Sequence, residues 1–199
     1  MSQKTLPFKY EGAKRESGVT SLGGLALYSG LAHIMDLSGS VRNHIRVRQD
    51  TQGWTDSQMI MSLILLNLAG GDCVEDLNIL EADEGFCRIL RRVELHGLNR
   101  RERREQERRW RKEKRRTVPS PTAAFRYLGA FHDEEEEKRR VVGRAFIPAP
   151  NEYLRGLGQV NADMMAFSQR QEEGETVTLD MDATVVETMK EEALYSYKG

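Results

Sequence analysis

Thr55-Asp-Ser-Gln-Met-Ile-Met-Ser-Leu-Ile-Leu-Leu-Asn-Leu68, followed by Ala69-Gly-Gly71, reads as a helix with both ends marked. Thr55 and Gln58 have the spacing of a capping box, in which each side chain satisfies a backbone amide that the first turn leaves unpaired. Met59, Ile60, Met61, Leu63, Ile64, Leu65, Leu66 and Leu68 then cover nearly the whole circumference, which predicts a helix buried at the centre of a domain. Gly70-Gly71 ends it.

The same logic extends outward in both directions. Asp72-Cys-Val-Glu75 repeats the capping pattern for a helix to about Leu80, and Asp83 starts another to about Val93. Upstream, Thr20 is placed to cap a helix with an apolar stripe of Leu22, Leu25, Leu27, Leu31 and Ile34. Val41–Val47 alternates Arg with apolar residues and fits either helix or strand, and Lys4–Tyr10 fits a short strand. Short helices joined by turns of two or three residues predict a compact helical domain over residues 1–98.

Asn99–Arg116 differs in kind. From Arg88 to Arg116 there are 14 Arg and Lys against 5 Glu, a local charge of +9 inside a chain whose net charge is -1. The local field therefore matters more than the total. Glu105/Arg109 and Glu107/Arg111 are spaced i,i+4 and support a helix. With Trp110 its one large apolar residue, the segment is predicted to project into solvent or to lack fixed structure. Arg and Lys in such a run neutralise phosphates and release counterions. The candidates are Arg100, Arg101, Arg103, Arg104, Arg108, Arg109, Arg111, Lys112, Lys114, Arg115 and Arg116. A solvated linker with internal Glu–Arg pairs fits the same composition.

Residues 99–118 thus form a basic helix or linker, and 119–172 a further helical segment. Ser120-Pro121 reads as cap and first helical residue, leading through Phe125, Tyr127, Leu128 and Phe131. Asp133–Arg140 reads as a solvated turn, Pro148 and Pro150 as a boundary, and Glu152–Arg170 as a helix. After Gly174 the period changes to two. Val177, Leu179, Met181, Ala183 and Val185 share one face of a strand, with Thr176, Thr178, Asp180, Asp182 and Thr184 on the other. Asp is depleted in strands, so two on one face suggest metal-dependent chemistry; a half-buried strand with one solvated face accounts for the pattern as well.

Cys73 and Cys87 have neither zinc-site nor disulfide spacing and are expected to be small buried hydrophobes. His33, His44, His96 and His132 are scattered without ligand spacing. Met59–Leu68, the longest apolar run, is too short to span a bilayer, so a cytosolic protein without a membrane role is expected.

Several segments, in order, resemble the group-1 DDE transposases of bacterial insertion sequences. They are Thr20-Ser-Leu-Gly-Gly24, Arg48-Gln49 leading to Gly53-Trp-Thr-Asp-Ser-Gln58, and Leu68-Ala-Gly-Gly-Asp-Cys-Val-Glu-Asp-Leu77. Pro119-Ser-Pro-Thr-Ala-Ala-Phe-Arg-Tyr-Leu128 and Leu179-Asp-Met-Asp-Ala-Thr184 complete the set. The resemblance implies a mainly α N-terminal region that engages transposon-end DNA. The first strands of a truncated α/β ribonuclease H-like domain would follow at 173–199, with Tyr195-Ser-Tyr-Lys-Gly199 resembling its second strand. It implies Asp182, with Asp180 as alternate, as the first catalytic carboxylate and Mg2+ ligand.

DDE chemistry needs three converging carboxylates around the metal ions. Glu187, Glu191 and Glu192 lie too near Asp182 to supply the Glu of such a site. The chain alone is therefore expected to be inactive, whereas a full-length relative would cleave and join DNA. The expected partners are double-stranded DNA and, as an oligomer, itself or an intact transposase, with nucleoid association when DNA-bound. A non-catalytic DNA-binding regulator and a helical protein-interaction module are the other readings.

Overall fold

The computed structural model describes residues 18–48, 53–112, 116–141 and 146–171, with backbone alone for 109–112. Among these the architecture is mainly helical and contains no strand. The helices run α1 Leu25–Ile34, α2 Leu37–His44, α3 Asp56–Leu68, α4 Leu77–Ala82, α5 Glu84–Glu94, α6 Arg100–Lys112, α7 Pro121–Leu128, α8 Glu134–Glu137 and α9 Glu152–Gln169. Short 3-10 turns precede α4 and follow α7. The expected strands at 4–10 and 176–188, and the ribonuclease H-like start at 173–199, lie outside the described residues.

The caps form as the side chains require. Thr55 Oγ1 accepts from the Gln58 N–H at 3.2 Å while Gln58 Oε1 accepts from the Thr55 N–H at 3.1 Å. Asp83 caps α5 by accepting from the Phe86 N–H at 2.8 Å, and Ser120 caps α7 through the Ala123 N–H at 3.3 Å. Gly70, at φ +79°, supplies the left-handed residue that ends α3.

Two packed clusters share α3 between them. One joins Leu25, Leu65, Leu66, Leu77, Leu80, Phe86, Cys87 and Leu90 with Val118 and Ala124. The other joins Leu37, Val41, Ile45, Trp54, Met59 and Ile60 with Tyr127 and Val160. Both cores therefore draw residues from the segment that follows α6.

Several local expectations are corrected. The α1 stripe is buried only in part: Leu25 lies in the core with Leu22 packed against it, but Leu27, Leu31 and Ile34 are each close to half exposed, and Ala26, Ser29 and Gly30 complete the inward face. Thr20 does not cap α1; its hydroxyl accepts from the Leu22 N–H at 2.9 Å and donates to Asp83 at 2.5 Å. That bond ties the leading turn to the start of α5.

The 41–47 segment is the end of α2, which begins earlier, under the Asp36 cap, and turns extended at Ile45. The 72–75 cap is made instead by Asp76, whose Oδ2 accepts from the N–H groups of Asp72 and Cys73. α3 is not buried all round, since Ile64 and Leu68 reach solvent. Asp133–Arg140 contains a helical turn, α8, capped by Asp133 and held by i,i+3 ion pairs. Of the cysteines, Cys87 is buried and Cys73 is exposed. No described helix is long and apolar enough to cross a membrane.

Candidate nucleic-acid interface

α6 is built from local interactions. Asn99 Oδ1 accepts from the N–H groups of Arg101 and Glu102, and Glu102 Oε2 accepts in turn from the Asn99 N–H at 2.9 Å. This reciprocal cap also places an acid at the positive end of the helix dipole. Arg100, Arg101, Arg103, Arg104 and Arg108 are all exposed. Arg100, Arg104 and Arg108 recur at every fourth residue, so they form one ridge with about 6 Å between successive positions along the axis. None of Arg100, Arg101, Arg104 and Arg108 is ion-paired with another described residue. Arg103 bends back, its Nη2 lying 3.5 Å from the Leu95 carbonyl oxygen.

The remaining basic candidates divide. Arg109, Arg111 and Lys112 continue the helical backbone, while Lys114 and Arg115 lie outside the described residues. Arg116 is held by the protein itself, donating to the Val118 carbonyl and to Asn78 Oδ1, each at 3.2 Å. Beside it, the Glu81 carboxylate accepts from the N–H groups of Thr117 and Val118 at 2.8 and 2.9 Å. The chain is thus pinned to α4 immediately after the basic run. Asp180 and Asp182 lie outside the described residues. Among the described residues, no group of three or more His, Cys, Asp or Glu could hold a metal ion.

A cavity of about 700 Å³ opens between α1, α2, the start of α3, the end of α5 and α6. Leu37, Ile45, Met61, Leu90 and Val93 contribute apolar lining, and Arg42, Arg46, Arg48, His33, His96, Gln58 and Gln106 contribute polar lining. The acids on its wall are engaged in bonds within the protein. Asp36, at φ 52°, accepts from the Gly39 N–H, Asp56 from the Arg48 N–H, and Glu94 from Gln58 Nε2. Gly39 cannot be replaced freely, because a Cβ there would occupy the space of the Asp36 carboxylate. Burial raises the Asp56 carboxyl above its usual range, opposed by the bond from the Arg48 N–H. Tyr127, packed deep in the core, has its phenol pushed far up by burial and by the Asp56 charge. The alternating arginines of 41–47 stood out in the sequence only as an ambiguous helix or strand, with no role assigned to them.

Ser40, His44 and Asp163 also meet, with a composition that invites a catalytic reading. Ser40 Oγ donates to Asp163 Oδ2 at 2.6 Å, and His44 Nε2 lies 3.1 Å from the same oxygen. Nucleophilic activation needs the imidazole on the hydroxyl and the carboxylate behind it. Here the carboxylate stands between them, so the trio ties α9 to α2. The Ser40 bond, with His44 adding to it, holds Asp163 below the usual carboxylate range.

No family model, curated protein or solved structure matches the chain.

Proposed function

We propose that this chain is a duplex-DNA-binding helical region of the kind that resembles the front of an insertion-sequence DDE transposase, with α6 as its main phosphate contact. The observation that carries this reading is the ridge of Arg100, Arg104 and Arg108, exposed and free of ion pairs with described residues, on a helix capped by Asn99. Guanidinium groups in a solvated row suit phosphate oxygens, and their contacts are independent of sequence.

In this reading cleavage and strand transfer belong to a domain starting near residue 173, with Asp182 or Asp180 as one Mg2+ ligand. A non-catalytic regulator built from the same helical region would bind DNA in the same way. Nucleoid association would follow from the DNA contact.

Fluorescence anisotropy with labelled duplexes of unrelated sequence, over a salt series, tests the reading. With about six phosphate contacts, log K falls against log salt with a slope of roughly -5. Replacing Arg100, Arg104 and Arg108 by Gln should weaken binding to every duplex alike and reduce the slope by roughly 3. A protein that ignores duplex DNA at low salt, or a triple variant identical to the wild type, would dismiss α6 as the interface.

The exposed row Leu27, Leu31 and Ile34 favours the second reading, a protein-interaction module. Sedimentation of the wild type against Leu27→Asp/Leu31→Asp would reveal self-association through that face.

A further inference from the structure

We propose that Arg42 and Arg46, with Arg48 behind them, form a second phosphate-contacting row for duplex DNA, separate from the α6 ridge. The inference rests on the DNA-binding reading above and extends it to residues outside the basic run.

Arg42 and Arg46 are both exposed and stand four residues apart, at and just beyond the end of α2. Arg48 is half-buried two residues further on, and all three line the 700 Å³ cavity. The charge balance of that lining looks neutral at first, because Asp36, Asp56 and Glu94 share it. The carboxylates keep their charge, and Asp56 offsets the neighbouring Arg48, but all three acids are tied into the fold. Each accepts a hydrogen bond from within the protein, from Gly39, Arg48 and Gln58 respectively. Neither Arg42 nor Arg46 makes a side-chain hydrogen bond or ion pair with another described residue, so both guanidinium groups stay available at the rim.

A guanidinium is more weakly hydrated than an ammonium and binds phosphate bidentately, so it gains from an anion at such a rim. Gln106, on the cavity wall, sits two residues from both Arg104 and Arg108, which turns it roughly to the opposite side of α6 from their ridge. The two rows therefore face different directions, and their phosphate contacts should contribute independently.

Duplex binding across a salt series separates this inference from the reading it rests on. The full 199-residue chain is compared with Arg42→Gln/Arg46→Gln, with Arg42→Lys/Arg46→Lys, and with the α6 triple Gln variant. Both substituted side chains are exposed, and an unchanged far-ultraviolet helical signal checks that the fold persists. The Gln pair should reduce the salt slope by roughly 2, the Lys pair should keep it near the wild-type value, and the losses from the two rows should add. A Gln pair that binds like the wild type, while the α6 variant is weakened, overturns the second row and leaves the DNA reading standing. Equal losses in the Gln and Lys pairs would also overturn it, by showing a packing role rather than a charge role. If neither set of substitutions changes anything, or the wild type does not bind, both the reading and the inference fall.

Discussion

Gly156 and Gly158 lie two residues apart on α9 and should respond to alanine with opposite signs. A Cβ on Gly156 would press into the His44 carbonyl oxygen at the end of α2, whereas one on Gly158 would meet open space. Gly156→Ala should therefore push α9 off α2 and cost about 1–3 kcal/mol, as overpacking does. Gly158→Ala should stabilise by up to about 1 kcal/mol, because alanine restricts the unfolded chain and favours helix. Urea unfolding of both variants checks the pair, and destabilisation by Gly158→Ala would contradict the packing described. On the same interface, Asp163 has a folded pKa below its ordinary value, so its contribution is present above the ordinary carboxylate pKa of 3.8 and fades as pH falls through the folded value. Asp163→Asn should thus lower the melting temperature at pH 7. The gap from the wild type should narrow as pH falls below that ordinary value. A gap that stays constant across that window would mean that the carboxylate charge plays no part in holding α9.

At the scale of elements, legibility followed the physics that shaped each one. α3, α5 and α7 were readable because capping is local: Thr55 with Gln58, Asp83 and Ser120 each bond an amide within three residues. α1 was legible only in part: Leu25 is buried as its stripe predicts, but the rest of the inward face is made by the small residues Ala26, Ser29 and Gly30, which carry little hydrophobic signal, rather than by Leu27, Leu31 and Ile34. α6 is the opposite extreme, a segment whose charge spacing supported a helix while leaving a linker open, and whose described side chains add nothing to either core cluster. Its stability should accordingly be local. Hydrogen exchange of the amides from 104 to 112 should be much faster than that of α3, whose Met59 and Leu65 are fully buried. Asn99→Ala should accelerate it further by removing the cap, which is worth about 1 kcal/mol. Exchange in α6 as slow as in α3 would imply a packing partner for this helix. The cavity rim was invisible in sequence for a different reason. Arg42, Arg46 and Arg48 become a site only when α5 and α6 close the other wall, a juxtaposition across some fifty residues.

At the scale of the whole molecule, the proposed function divides the charged residues between two separable tasks, phosphate contact by the basic run and metal-dependent chemistry by the downstream carboxylates. The sequence concentrates +9 between Arg88 and Arg116, and the paired acids Asp180 and Asp182 lie far downstream of it. Arginine contacts to phosphate need no metal. The proposed function therefore predicts that DNA binding and metal-dependent chemistry come apart. At constant ionic strength, duplex affinity should be the same with Mg2+ as with a chelator, and Asp182→Asn should bind as tightly as the wild type. Strand cleavage in a longer protein with all three carboxylates should instead vanish in Asp182→Asn, because an amide cannot replace an anionic ligand. Anisotropy and a nicking assay on the same preparations measure the two properties side by side. Affinity that rises with Mg2+ and falls with Asp182→Asn would mean that the metal site itself grips the DNA, and the division of labour between α6 and the carboxylate segment would have to be abandoned.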